Sequence, residues 1–452
     1  MWGRSGEKHM ALIDELEPIL RQITPEAHKR WEHSISDVPL EYRQRHAAEW
    51  NKIANEFFGS VDDLLTRFRE FALLDAHDFA KNVEALALPG DHKTRTGPGQ
   101  PIVGGSPMPG TAFWSIFSAD AYFMNDVREM IHAEQWNSKA AEAFRDNFLK
   151  NFGEAADWQG AYLKELSIAA ASYHLAVNRA KKAILFVAES CLAALKFHPK
   201  LQNDLDFNDD SKAAPWATAS GATSTALTAV GLFLSGGAAL VVGVASLLSG
   251  IYSFAKTSGT KPYLQVDYND YPPKIISDTE YAIKALREWL FLQDDALADG
   301  LGKDLSDDQA FASPKLRLAS PGLTPDAYKT LDIRDGDGKP PNQVVASIVL
   351  LARAGYYNLP GAAYEYDSAV RTLDACTVPG SMGTFFPKSL PKFNEATRRL
   401  GDYLRETGDA LTRAGDAMLT AARSYQGTDE ERADIISQIN QIPPHHSRAP
   451  FH

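Results

Sequence analysis

Between Ala213 and Ala255 the chain has no Asp, Glu, Lys, Arg or His, although it is acidic elsewhere, with a net charge of −12. Other features are scarce as well. There is no block of basic residues to neutralise phosphates, which argues against nucleic acid as a partner and against docking through a polybasic membrane patch. Only two cysteines are present, Cys191 and Cys376, far apart and beside Leu192 and Ala375, so both read as small buried hydrophobes. No Cys/His cluster has metal-ligand spacing, and no metal or other cofactor is expected. The N-terminal MWGRSGEKHM has no apolar core, so a conventional signal peptide is not expected and export would need another route. No stretch alternates apolar and polar residues as a half-buried strand would.

What remains is helical, and the expected fold class is all-α. The elongated bundle predicted here has long coiled-coil hairpins and a central apolar helical hairpin. Apolar residues recur at three- and four-residue steps through Ala11–Ile23 and Tyr42–Leu88, for example at Trp50, Ile53, Phe57, Val61, Leu64, Phe68 and Phe71. These mark residues 1–88 as an N-terminal helical region. Residues 89–110 form a Gly/Pro-rich linker. Residues 111–200 read as a hairpin of two helices, Thr111–Glu134 and a long one from Asn137 to Lys196. The long helix carries two heptad series: Phe148, Ala155, Tyr162, Ala169, Ala176 and Ala183, beside Phe152, Leu166, Tyr173, Ala180 and Val187. After the apolar run, residues 256–341 hold an extended aromatic stretch, a helix over Asp278–Leu297 and a loop region from Gly300 to Pro341. Residues 342–440 repeat the hairpin, with Ala362–Cys376 and Leu390–Tyr425 as its arms. The second arm again shows heptads, with Phe393, Leu400, Thr407, Ala414 and Ala421 beside Thr397, Leu404, Leu411, Met418 and Tyr425. Residues 441–452 are a tail.

The apolar run, residues 213–255, divides at Gly236-Gly237 into arms Ala217–Ser235 and Ala238–Ala255. Each is close to the roughly 20 helical residues that cross a hydrocarbon core. Ala222, Ala229, Gly236, Gly243 and Gly250 recur at heptad spacing and leave a face small enough for close helix–helix approach in a bilayer. The first arm carries seven Ser/Thr and depends on the more apolar second arm. The same composition also suits an all-round apolar hairpin buried among other helices of a soluble bundle.

Two local patterns carry a resemblance. Gln135-Trp136-Asn137-Ser138, followed by a small-residue run and Phe144, resembles the W-x-G turn between the antiparallel helices of WXG-type type VII (ESX) secretion substrates. Ser138 stands where that family has Gly. Tyr425-Gln426-Gly427-Thr428-Asp429, directly after a long amphipathic helix, resembles the Y-x-x-x-D/E export signal of the same system. A literal Trp158-Gln159-Gly160 lies inside the long helix and is the weaker candidate for the turn. The resemblance implies a secreted or cell-surface helical protein recognised by a type VII secretion ATPase through Trp136, Ser138, Tyr425 and Asp429. A small helical partner protein is optional, because both signal elements lie in one chain, and a homo-oligomer fits the heptads.

No catalytic constellation stands out. Placing Gly338 as the turn glycine of an EF-hand puts Ile333 and Val344 at ligand positions, so Asp332–Gly338 reads as a solvated turn. His445-His446 sits in the Pro- and Ser-containing tail. The expectation is a non-enzyme: a secreted, membrane-active protein that inserts its apolar hairpin into a lipid membrane. The alternative is a structural or oligomeric surface protein whose hairpin stays buried. The acidic flanks, Asp204, Asp206, Asp209 and Asp210 before the run and Asp267 and Asp270 after it, suggest that acid favours insertion.

Overall fold

A computed structural model describes residues 11–36, 38–87, 94–95, 102–103, 109–132, 144–197, 262–306, 312–318, 342–376, 378 and 380–424. These residues form an all-α bundle. Its helices are α1 (Leu12–Ser36), α2 (Leu40–Arg45), α3 (Ala47–Glu70), α4 (His77–Leu86), α5 (Ala112–Ser118), α6 (Asn125–His132), α7 (Lys150–Leu195), α8 (Pro272–Ser306), α9 (Asn342–Arg353), α10 (Leu359–Asp374) and α11 (Ser389–Ser424). Within the Gly/Pro-rich stretch, Thr94–Arg95 (β1) and Ile102–Val103 (β2) pair antiparallel, Thr94 opposite Val103.

The long helix α7 lies in the middle, with α1, α4, α5, α8 and α11 packed around it. Both heptad series are buried along it, and so are the residues between them: 31 of its 46 residues are inaccessible. A two-helix seam would leave half of such a helix wet, so its burial requires neighbours on several sides. Small off-seam residues permit this, since Gly153, Gly160, Ala170 and Ala188 let adjoining helices approach. Trp158, Gln159 and Gly160 are inside this core, which makes that tripeptide structural packing.

Helix α1 continues through Pro18 and Pro25. An interior proline costs about 3 kcal/mol, and here the stripe Leu12, Leu16, Leu20, Ile23 and Ala27, wholly buried, outweighs that cost. The apolar periodicity of Tyr42–Leu88 is interrupted after Phe71–Leu73, where Asp75 Oδ1 accepts the His77 backbone N–H at 2.9 Å and starts α4. Helix α8 extends to Ser306, well past the sequence boundary at Leu297, because Gly300, Leu301 and Asp304 are buried against its neighbours.

Helices α10 and α11 pack closely across the turn. The first arm is longer than the short helix Ala362–Cys376 expected, because helix runs without a break from Asn342 through the π-helical turn Ala354–Asn358 to Asp374. Helix α11 starts under an unexpected cap. Asp294 of α8, itself buried, accepts the backbone N–H groups of Lys388 at 2.9 Å and Ser389 at 2.8 Å. A carboxylate there satisfies orphan donors and opposes the helix dipole. Farther along, the π-helical turn Ala354–Asn358 crosses α11 with backbone against backbone: a Cβ on Gly355 would lie 2.7 Å from the Gly415 carbonyl oxygen. Glycine is required at that crossing.

Candidate functional site

Trp136, Ser138, Tyr425 and Asp429 lie outside the described residues, as do Ala222, Ala229, Gly236, Gly237, Gly243 and Gly250. The helices that lead to the first group are described. Gln159 Nε2 donates to Thr407 Oγ1 at 2.8 Å, and the Tyr173 ring meets that of Phe393 at 5.8 Å. Moving up α7 therefore means moving down α11, and the two run antiparallel. Phe144, just before the π-helical turn Arg145–Leu149 that leads into α7, and Ser424 at the end of α11 thus sit at the same end of the bundle. The chain passes toward Trp136 and toward Tyr425 from that one end.

At the other end of α7 lies the neck through which the chain leaves for the apolar run and returns. The neck is built around Arg30 of α1, which is 1% exposed. Its guanidinium carbon is 3.7 Å from the ring centroid of Phe197, just past α7, and 4.7 Å from that of Tyr268, just before α8. Arg30 also donates to the Asn269 carbonyl oxygen at 2.7 Å and lies 3.5 Å from Asp270 Oδ1. Tyr268 donates its hydroxyl to the same Asp270 oxygen at 2.7 Å. Phe197 holds φ at +62°, a left-handed conformation that ends α7 and costs a side-chain-bearing residue about 1–2 kcal/mol. Desolvated cation–π contacts, about 2 kcal/mol or more, offset that strain. One buried cation therefore ties the outgoing and returning stems together.

The bundle also buries two carboxyl groups against each other. Glu165 of α7 and Asp304 of α8 are 2% and 0% exposed. Desolvation, followed by the nearby Asp304 charge, holds the Glu165 carboxyl well above the ordinary carboxylate range. Two buried carboxyls that interact in this way resist being ionised together. Close by, the segment 312–318 and α11 border an open groove of about 820 Å³ that includes Arg317, Arg398, Arg399 and Arg405. Each of these arginines already has a carboxylate: Glu406 for Arg317, Glu395 for Arg398 and Arg399, and Asp374 for Arg405. Such a charge-balanced surface offers no free cation to an anionic substrate. Cys191 and Cys376 are buried free thiols, with burial pushing Cys191 up to about 11 and Cys376 up to about 12.

Among the described residues, no three His, Cys, Asp or Glu side chains are grouped to hold a metal ion. Nor, among them, is any helix long and apolar enough to cross a membrane. No protein-family model, no curated protein and no solved structure matches this chain.

The sequence reading missed Arg30, Phe197 and Tyr268, and also Glu165 and Asp304. The signal available was a charge on an apolar stripe. Arg30 follows Ile23 and Ala27 at helical spacing, and Glu165 precedes Leu166 on a seam. Aromatic partners that close on a cation from two other segments have no one-dimensional signature.

Proposed function

We propose that the protein is a secreted type VII (ESX) substrate that acts on lipid membranes by inserting the apolar run Ala213–Ala255 as a helical hairpin, without enzymatic chemistry. The observation that carries this reading is an uncharged run of bilayer-spanning length attached to the bundle at a single neck, where Arg30 holds both stems. The bundle outside that segment has its own continuous core, so releasing the hairpin need not dismantle it.

The secretion ATPase would read Trp136 with Ser138 and Tyr425 with Asp429 as one composite surface. The common bundle end of Phe144 and Ser424 supports that geometry. In this reading a small helical partner is optional, and self-association in the membrane follows from the small-residue face Ala222, Ala229, Gly236, Gly243 and Gly250. Tyr425→Ala leaves the bundle folded and abolishes export from a secretion-competent host; normal export of that variant removes the secretion half of the proposal.

In this reading acid favours insertion by reducing the repulsion between the acidic flanks of the apolar run and a membrane surface. Purified protein added to dye-loaded liposomes releases the dye increasingly as pH falls from neutral to about 4. Gly243→Ile, which blocks close helix approach, reduces that release without unfolding the soluble protein. Liposomes that stay intact at every pH, together with a Gly243→Ile protein destabilised by about 1–3 kcal/mol, establish instead that the hairpin is permanent core.

A further inference from the structure

Fourteen large hydrophobic side chains are exposed among the described residues, and five of them gather at the neck. Phe197 is 43% exposed, Tyr268 41%, Tyr263 55%, Tyr271 58% and Tyr281 60%. Phe197 and Tyr268 have ring centroids 6.5 Å apart, and Tyr263 and Tyr281 meet edge-on at 6.2 Å. Tyr271 follows Tyr268 along the chain, its backbone N–H held by Asn269 Oδ1 at 2.9 Å. The first pair thus spans the outgoing and returning stems, and the second marks the returning stem, where Tyr263 is among the first described residues after the apolar run.

We infer that this aromatic collar is a docking surface for the headgroup layer of a lipid bilayer, and that it seats the protein there whether or not the apolar run has inserted. The inference rests on the membrane-active reading proposed above and identifies the surface that makes first contact.

Three observations select lipid as the occupant. Four of the five rings are tyrosines, which present an apolar body and a polar tip. Such side chains suit the half-wet headgroup level of a bilayer. Chain length fixes the distance. Tyr263 stands only eight positions after Ala255, the end of the uncharged run, at most about 28 Å when fully extended. Any insertion of the run brings the collar to the membrane surface. Charge then chooses the lipid. The patch sets Asp267 and Asp270 against Lys196, which donates to Gln22, while Lys274 is already paired with Asp278 and Arg30 is buried. With no surplus of positive charge, the collar favours zwitterionic over anionic headgroups at neutral pH.

The test uses the full-length protein and flotation with phosphatidylcholine vesicles at neutral pH. Leu247→Arg, which puts a charge into the more apolar arm, disables insertion. On that background the protein still floats with the vesicles. Adding Tyr263→Ser, Tyr271→Ser and Tyr281→Ser lowers the bound fraction by about tenfold or more. Replacing the same three residues by Trp restores or strengthens binding, and circular dichroism stays unchanged throughout because all three side chains are exposed. If the triple Ser variant binds as well as its parent, the collar is not the docking surface, and wild-type dye release still decides the insertion proposal separately. If wild type releases no dye yet floats in a tyrosine-dependent way, the collar stands and insertion falls. If Leu247→Arg alone abolishes flotation, the collar inference is overturned. Preferential flotation with phosphatidylglycerol vesicles overturns the headgroup assignment.

Discussion

Helices α7 and α11 carry the same sequence pattern, two interleaved heptad series, and meet very different surroundings. On α11 burial is confined to one broad face. Phe393, Leu400, Leu404, Leu411 and Met418 are buried, and the opposite face is wet. There Arg398 pairs with Glu395 and Asp402, and Arg405 with Asp402, at helical spacing. On α7 the positions between the seams are small or apolar, so further helices close over them. The charged residues that remain, such as Glu165, must be neutralised from inside. A heptad series therefore marks where a helix is packed, and the residues between the series report how much of its circumference is enclosed.

The largest expected effect tests what the two helices share. Phe148→Ala before α7 and Phe393→Ala in α11 each remove a wholly buried ring, and each should cost about 3–5 kcal/mol in denaturant unfolding. A loss under about 1 kcal/mol at either site would mean that its seam is not packed as described.

A smaller effect separates the helices. Ala170 lies off the α7 seam and is fully buried, so Ala170→Leu should overpack and destabilise by about 1–3 kcal/mol. Arg413, off the seam of α11 and exposed, should accept Leu within about 0.5 kcal/mol. Equal costs at the two positions would erase the contrast.

The gentlest test changes one atom and reads a slope. The folded Glu165 carboxyl titrates above its unfolded value, so its contribution to stability is complete below the ordinary carboxylate range. That contribution is lost as pH rises through the folded pKa. Stability of the wild type should therefore decline from about pH 4.5 upward on account of this site, and Glu165→Gln should flatten the decline in pH-dependent thermal unfolding. An unchanged slope would show that Glu165 does not hold the proton assigned to it.

Much of the bundle is legible in one dimension because period is a local property. The heptads of Phe148–Ala183 and Phe393–Ala421, the break between Cys376 and Leu390, and the burial of both cysteines all follow from neighbours close in sequence. The export elements Trp136, Ser138, Tyr425 and Asp429 and the small-residue face of the apolar run are likewise sequence readings, outside the described residues. The candidate neck could not be read this way. Arg30, Phe197 and Tyr268 come from three separate segments, and each is unremarkable where it stands.

The sequence by itself determined the helical class and the uncharged run, since composition and period act within a few turns of chain. Only the tertiary structure decided that α7 is enclosed, that Asp294 caps α11 from another helix, and that Glu165 meets Asp304. It alone placed Arg30 between the two stems of the apolar segment. The physical reason is common to all four. Burial and pairing of a charge depend on distances between segments far apart in the chain, and those distances exist only once the core has closed.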